Sequence, residues 1–488
     1  MPDFFDIIRG MNIRMAFVVL AAFALAVGCS TVKNARDVQK ATASKGDDAA
    51  SATAVGKLDL RGATLERLVA FAVSNRPSIV SRRLAVEDAR LALKALAADA
   101  PLVSDTPWTA ASLGASGGYS ESSAGTTIGR SDGWQTRGSP SAALSLDLLV
   151  WDFGRYDARA KAQAEAVLAA EQALVDEGYA VFGQVARSYF DVMEARALLE
   201  VARTNERQYG DHLALAKERQ KAGEAYKLDI LKARLDLAKA HQATVAASNQ
   251  VATAGAELMF ALGVEASRGT CDEVFGTDSP GIGCVYRGFS RSTDTIDEAF
   301  AFARTNAPAV RVARAELRAA SHGVDAAIAD LYPSIRASAS LNWTDPLWAW
   351  NWGVNAVQSL FQGFSKVTAV DRSVVALRQA ATGVDAAEQQ LSVSLETALA
   401  VRDNSEEAVR SAWASVRSAK ENLDTVREQL SLGDVSRIEL SDAIAADSKA
   451  RGDCITAYYD GQRAEAALFV TVGRYPVYNE GIIKGEVK

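Results

Sequence analysis

Residues 335–356 read IRASASLNWTDPLWAWNWGVNA. Ile335, Ala337, Ala339, Leu341 and Trp343 alternate with Arg336, Ser338, Ser340, Asn342 and Thr344, the period-two pattern of a strand with one apolar and one small polar face. Asp345-Pro346 turns the chain, and Trp350, Trp352, Val354 and Ala356 then alternate with Asn351, Gly353 and Asn355. The two runs predict a hairpin with strands at about 334–344 and 350–360. Pro333, just ahead of it, stops a helix and favours extended chain.

The same parts occur once before, so the chain reads as two copies of one pattern. Leu113, Ala115 and Tyr119, then Leu144, Leu146, Leu148 and Val150, predict strands at about 109–120 and 141–152, separated by a Gly/Ser-rich loop over 121–138. Pro101 stands where Pro333 stands in the second copy. Asn75-Arg76-Pro77 opens an Ala- and Arg-rich helix ahead of the first hairpin, and Asn306-Ala307-Pro308 opens another 231 residues later. Pro101 to Gly154 is 53 residues and Pro333 to Gly363 is 30, the difference falling in the loop.

After Gly154 and Gly363 each copy turns helical for nearly 70 residues, until the breaks at Gly223 and Gly433. Such a helix is about 100 Å long at roughly 1.5 Å per residue. Heptads run along both: Val167, Leu174, Val181, then Val185, Val192, Leu199 in the first, and Val409, Val416, Leu423, Leu430 in the second. These are coiled-coil seams, and the alanines between them let helices approach closely. The expected organisation is a first repeat over 57–265 with its tip near 223, a linker over 266–292, a second repeat over 293–476 with its tip near 433, and a tail over 477–488.

Seven of the eight tryptophans (Trp108, Trp134, Trp151, Trp343, Trp348, Trp350 and Trp352) fall inside or beside the hairpins, and Trp413 lies in a long helix. Tryptophan favours the bilayer interface, where its ring is apolar and its N–H stays hydrated, so the cluster fits the aromatic girdles of a barrel. Packing between two sheets is the competing reading. Four strands cannot close a barrel, and open edges in lipid leave backbone groups unpaired at several kcal/mol each, so chains must share one barrel.

The 488-residue chain is 49% apolar and carries a net charge of −7 with scattered basic residues. It can bury a large core, and it has no electrostatic footprint for nucleic acid. There is no phosphate-binding glycine loop, metal-ligand spacing or nucleophile motif, and His212, His241 and His322 stand apart, so no enzyme and no cofactor are expected.

Arg9 and Arg14 precede an apolar run over 15–27 that ends in Gly28-Cys29-Ser30. The run is shorter than the roughly 20 apolar residues a spanning helix needs, and residues 1–28 read as an export signal starting at Met1 or Met11. Leu25-Ala26-Val27-Gly28-Cys29 resembles a lipobox, with Ala26 where leucine is usual. Cys29 is therefore a lipidation site, carrying palmitate, or cleavage nearby is ordinary. Residues 29–56 then form a small, polar tether. In an oxidising compartment Cys271 and Cys284, in a turn-rich stretch, form the natural disulfide pair, while Cys454 sits in a helical run and packs.

In these features the sequence resembles the TolC-like outer-membrane efflux protein family over about residues 57–476. The marks are LLVWDFG at 148–154, RQKAG at 219–223 and Leu-Gly-Val at 262–264, then Phe361-Gln362-Gly363, Leu432-Gly433 and Val472-Gly473. The resemblance implies a mainly α protein with a β-barrel portion: a homotrimer with a shared 12-stranded outer-membrane barrel and a 12-helix periplasmic barrel. It also implies docking to a periplasmic adaptor and an inner-membrane pump of RND or ABC type in a Gram-negative bacterium. The duct would serve tripartite efflux or, alternatively, type I protein secretion.

At the tip, Glu439 and Asp442 match the family's acidic pore ring, which attracts cations, and Asp229 matches a residue that ties neighbouring helices together. Leu430 and Val435 stand where the family has a latch tyrosine and arginine, with Arg437 close enough to substitute. Solvated helix-end charges are the competing reading of the three acids. A structural coiled-coil lipoprotein or a periplasmic adaptor would account for the heptads and the anchor, but not for two tryptophan-rich hairpins at repeat spacing.

Overall fold

A computed structural model describes residue 39 and residues 65–97, 111–124, 135–222, 226–264, 296–344, 347–359, 362–432 and 437–473. Two copies of one order of elements follow each other. The first is α1 (Leu65–Asn75), α2 (Pro77–Ala97), β1 (Ala111–Ala124), β2 (Gln135–Trp151), α3 (Arg155–Lys221) and α4 (Lys227–Ala261). The second is α5 (Ile296–Asn306), α6 (Pro308–Ala329), β3 (Ser334–Thr344), β4 (Leu347–Val357), α7 (Ser365–Leu432) and α8 (Arg437–Val472). The signal segment, Cys29, the tether apart from residue 39, Cys271, Cys284, the linker, the tail, Gly223, Gly433, Trp108 and Trp134 lie outside the described residues.

Each short helix pair is divided at a proline that takes the first position of the second helix, Pro77 and Pro308, where its fixed φ suits the helix and its missing N–H is not needed. α1 then buries Leu68, Val69, Ala72 and Val73, a stripe at i, i+1, i+4 and i+5 that faces the core.

The four strands form one antiparallel sheet in the order β1-β2-β3-β4. β3 lies where the alternation places it, and β4 begins three residues earlier than expected because only Asp345 and Pro346 separate the two strands. The first hairpin is longer than expected, with strands of 14 and 17 residues. Both ends of the stretch expected as a loop are paired, for example Ser122 with Arg137 and Ser123 with Thr136. The ladder is made by backbone groups, and small polar side chains do not obstruct it. The β2–β3 register shifts between Leu149 and Trp151, where the chain prepares to leave the sheet.

Both passages from strand to long helix use two consecutive left-handed residues: Phe153 (φ 57°) with Gly154 (φ 84°), and Gly363 (φ 57°) with Phe364 (φ 60°). In the first copy the buried carboxylate of Asp152 accepts the N–H of Tyr156 at 2.7 Å and that of Gly154 at 3.3 Å, satisfying donors that the start of α3 leaves open.

α3 and α7 run for 67 and 68 residues, the length that the glycine spacing predicts. Leu174, Val181, Val185, Val192, Leu199, Val409, Leu423 and Leu430 of the heptads are buried, whereas Val167 and Val416 are half-buried. The long helices stand in a row, α4 on α3, α3 on α8 and α8 on α7. Arg463 of α8 bridges to Asp191 and Glu194 of α3 at 2.6 and 2.7 Å, and Tyr179 donates to the carbonyl of Gly473 at 2.8 Å, so the two repeats are fastened together. Cys454 is buried in α8, in keeping with a packing role. Around Glu388, hydrogen bonds from Arg314 and then Arg304 hold the carboxyl below the usual carboxylate range.

Each repeat closes on a glycine at positive φ. Gly263 (φ 76°) sits against the Arg76–Pro77 corner, where an added Cβ would lie 3.2 Å from the Cα of Arg76, and Gly473 (φ 69°) sits against Asn306–Pro308. Left-handed strain and a backbone clash act together at Gly263, so Gly263→Ala should lower stability by about 2–3 kcal/mol. Gly323→Ala, in α6 with open space around its Cβ, should raise it by roughly 0.5–1 kcal/mol. Thermal unfolding followed by circular dichroism in detergent checks the opposite signs.

Candidate functional site: a two-faced sheet and an acidic helix tip

The strand registers sort the sheet into two faces. Leu144, Leu341 and Trp350 share one row, Leu146, Ala339 and Trp352 the next, and Leu148, Ala337 and Val354 the third. In β1 these rows continue at Ala115, Leu113 and Ala111. The opposite face carries Ala143, Asn342 and Ala349, then Ser145, Ser340 and Asn351, then Asp147, Ser338 and Gly353. One face is uniformly apolar and the other small and polar.

Among the described residues nothing covers the apolar face at β4: Trp350 and Trp352 are 72% and 74% exposed, and Trp348 and Val354 are also exposed. At roughly 25 cal/mol per Å² such a surface is costly in water, and it demands an apolar neighbour. Trp343 pairs with Trp348 at one end of β3, and Trp151 pairs with Ile335 at the other. Eight residues of strand separate Trp343 from Ile335, about 26 Å at roughly 3.3 Å each. That is the scale of the ~25 Å apolar band of a membrane barrel, with tryptophan at both limits.

Where the sheet meets the helices, Phe153 stacks on Tyr332 (5.7 Å between ring centres) and meets Trp151 edge-on (6.1 Å). Directly beside them Arg155 of α3 donates to the Asp330 carboxylate at 2.9 Å, and Lys366 of α7 donates to the Asp330 carbonyl at 2.8 Å. One acidic residue after α6 thereby holds the starts of both long helices.

At the other end of α3, about 100 Å away at ~1.5 Å per residue, the starts of α4 and α8 carry the acidic residues expected at the tip. Asp229 caps its own helix: its carboxylate accepts the Tyr226 N–H at 3.0 Å while its N–H donates to the Tyr226 carbonyl, also at 3.0 Å. His212, Asp229, Lys232, Asp236, Ile438 and Asp442 line a cleft between α3, α4 and α8. The structure therefore brings Asp229 and Asp442 together. Glu439 is exposed on α8, one turn before Asp442 and outside this cleft, and Arg437 opens α8 with a side chain outside the described set.

Asp236 and His212 were not predicted. Asp236 had a signal, since it follows Asp229 by seven residues and so shares its helix face, whereas an isolated histidine has none. Ser441 donates to Asp236 at 3.2 Å, and Tyr209 of α3 donates to the Ser441 carbonyl at 3.2 Å. Burial, with Asp236 and Asp442 nearby, pushes the Tyr209 phenol up from its ordinary value, so it stays a neutral donor. Leu430 is buried in an apolar cluster with Tyr209, Leu423, Leu440 and Ile444. Among the described residues no group of acidic, His or Cys side chains is placed to hold a metal ion, and no helix is long and apolar enough to cross a membrane.

The profile of the outer membrane efflux protein family matches residues 76–264 and 302–474 of the sequence. Among solved structures the fold is similar to that of CusC, described as forming a transmembrane channel, at 20% identity and TM-score 0.71, covering 84% of this chain and 92% of that one. It is also similar to the CmeC outer membrane channel of Campylobacter jejuni, at 14% identity and TM-score 0.70, covering 86% and 88%. The open MtrE outer membrane channel of Neisseria gonorrhoeae matches at 17% identity and TM-score 0.69, covering 84% and 89%. A search of curated protein sequences gives no match.

The two faces make opposite demands on a charge. Leu146→Arg, on the apolar face, should cost about 2–4 kcal/mol of folding in bilayers, while Ser145→Arg, one residue away, should cost ~0–1 kcal/mol. Folding titrations into liposomes check this. Equal losses would show that both faces are buried alike, as in two packed sheets.

Proposed function

The chain belongs to the outer membrane efflux protein family, and on that footing we propose that three copies assemble into one gated export duct. It is an outer-membrane channel protein reaching into the periplasm, not an enzyme. The observation that carries the trimer is a pair of open edges. Among the described residues β1 and β4 have no partner strand beyond them, and α4 and α7, the outer members of the helix row, expose Leu228, Leu231, Leu235, Val245, Val375, Val393 and Val401. Three copies of four strands and four long helices give 12 of each, and the polar sheet face becomes the lumen.

Substrate enters from a periplasmic adaptor and an inner-membrane pump docked at the helical end. The tip is the gate. Asp229, Asp236 and Asp442, with Glu439 a turn away, place carboxylates where three copies converge, and a ring of them draws cations and resists anions. Arg437 contributes the balancing charge at the start of α8. The Cys29 lipid anchor and the Cys271–Cys284 disulfide belong to the same proposal, on the strength of their sequence settings.

Single-channel recording in planar bilayers tests the gate. Wild type should give small, cation-selective openings that a trivalent cation blocks, and the Glu439→Ala/Asp442→Ala variant should lose the block and most of the cation preference. Channels indifferent to the substitutions would refute the acidic gate and leave the duct. A well-folded trimer that never conducts would refute the duct itself.

A further inference from the structure

We infer that the barrel end of the duct carries a charge-balanced collar, Asp147 of β2 beside Arg336 of β3, that keeps this part of the lumen indifferent to the sign of a passing ion and leaves charge discrimination to the tip. The inference rests on the reading that three copies close one barrel. The four strands contain four charged residues: Glu121, Arg137, Asp147 and Arg336. Glu121 and Arg137 pair in register with Gly138 and Ser122, beyond the apolar rows and close to the hairpin loop. Asp147 and Arg336 are the two that lie within the band.

Both belong to the polar face. Asp147 pairs with Ser338, and Arg336 pairs with Leu149 of β2 and Asn355 of β4, so the two charges are diagonal neighbours on adjacent strands. Arg336 Nη1 lies 3.6 Å from Asp147 Oδ1, close enough for charge compensation and too long for a hydrogen bond. That carboxylate oxygen makes no hydrogen bond, although the two side chains remain 48% and 46% exposed. An exposed pair without a hydrogen bond adds little stability. Its effect is on the field over the lumen surface, which each partner cancels for the other.

The position fits such a role. Asp147 is four residues from the end of β2 and Arg336 two from the start of β3, so the pair sits where the barrel opens onto the helical conduit. Three copies place three carboxylates and three guanidiniums alternately around that mouth, summing to zero. Removing one sign leaves three like charges facing the permeating ions, and in ~0.1 M salt these should change the cation-to-anion permeability ratio about two- to fivefold.

Reversal potentials of the full-length protein in planar bilayers, under a KCl gradient, read the ratio directly. Arg336→Gln should raise it, Asp147→Asn should lower it, and the double variant should return near wild type. All three shifts should fade in ~1 M salt, where the screening length is roughly 3 Å. Should a single variant fail to assemble, the charge swap D147R/R336D decides, because a balanced collar predicts wild-type selectivity for it. Shifts of the same sign in both single variants, no shift in either, or a shifted swap would overturn the collar while the duct stands. A wild type that does not conduct removes the duct, and the collar with it.

Discussion

A backbone N–H or C=O in the hydrocarbon of a bilayer has no water to bond, and this constraint organises the molecule. Among the described residues a sheet of four strands satisfies its interior ladders and leaves the outer rows of β1 and β4 open. Those rows are tolerable in lipid only if another strand meets them, and the apolar face they border is tolerable in water nowhere. On the proposed reading, oligomerisation is built into the unit rather than added to it. The helices repeat the demand at the other end, since a row of four with apolar residues on both outer members is a wall segment and not a closed bundle. Strand and helix edges ask for the same number of neighbours, which is why one symmetry operation can serve both.

Joining the two regimes is a local problem, and the chain solves it twice with the same backbone device. A strand must become a helix at an abrupt change of direction, and two consecutive left-handed residues provide it. Glycine accepts that conformation freely and phenylalanine does not, so Phe153 and Phe364 are held there against a cost of order 1–3 kcal/mol each. Around Phe153 the restraint is visible: stacking on Tyr332, the Asp152 carboxylate on the first turn of α3, and Asp330 gripping both Arg155 and Lys366. The cost falls at the place where the membrane part and the helical part must be held in fixed relation.

Much of this was legible in the residues, and what was not has physical causes. In the second hairpin β3 was readable to the residue and β4 to within three, because Trp, Leu and Ile on one side against Ser, Asn and Arg on the other make a period of two unambiguous. The long helices were readable because two glycine breaks bracket each and the heptads fill the interval. The first hairpin was under-read because Ser, Gly and Thr carry no periodic signal, while a ladder needs only backbone. The tip cleft was half-read: the acidic residues announce themselves by charge, but Asp236, His212 and Tyr209 are brought to it by the crossing of α3, α4 and α8, which no local pattern records.

Leu430 carries a chemistry different from the one that the resemblance leads one to expect at its position. The family resemblance places a latch tyrosine there, yet the leucine is buried against Leu423, Leu440 and Ile444, so that point on α7 contributes apolar contact in place of a hydroxyl. The same cluster holds Tyr209 of α3, whose hydroxyl bonds the Ser441 carbonyl one residue from Asp442. A tyrosine thus ties α3 to α8 from the side opposite α7. An apolar contact is non-directional and tolerates sliding, whereas a hydrogen bond between helices fixes register. At this level Tyr209 gives α3 a directional contact with α8, while Leu430 gives α7 a non-directional one, so the register of α8 is fixed here from the α3 side as well as by apolar packing against α7.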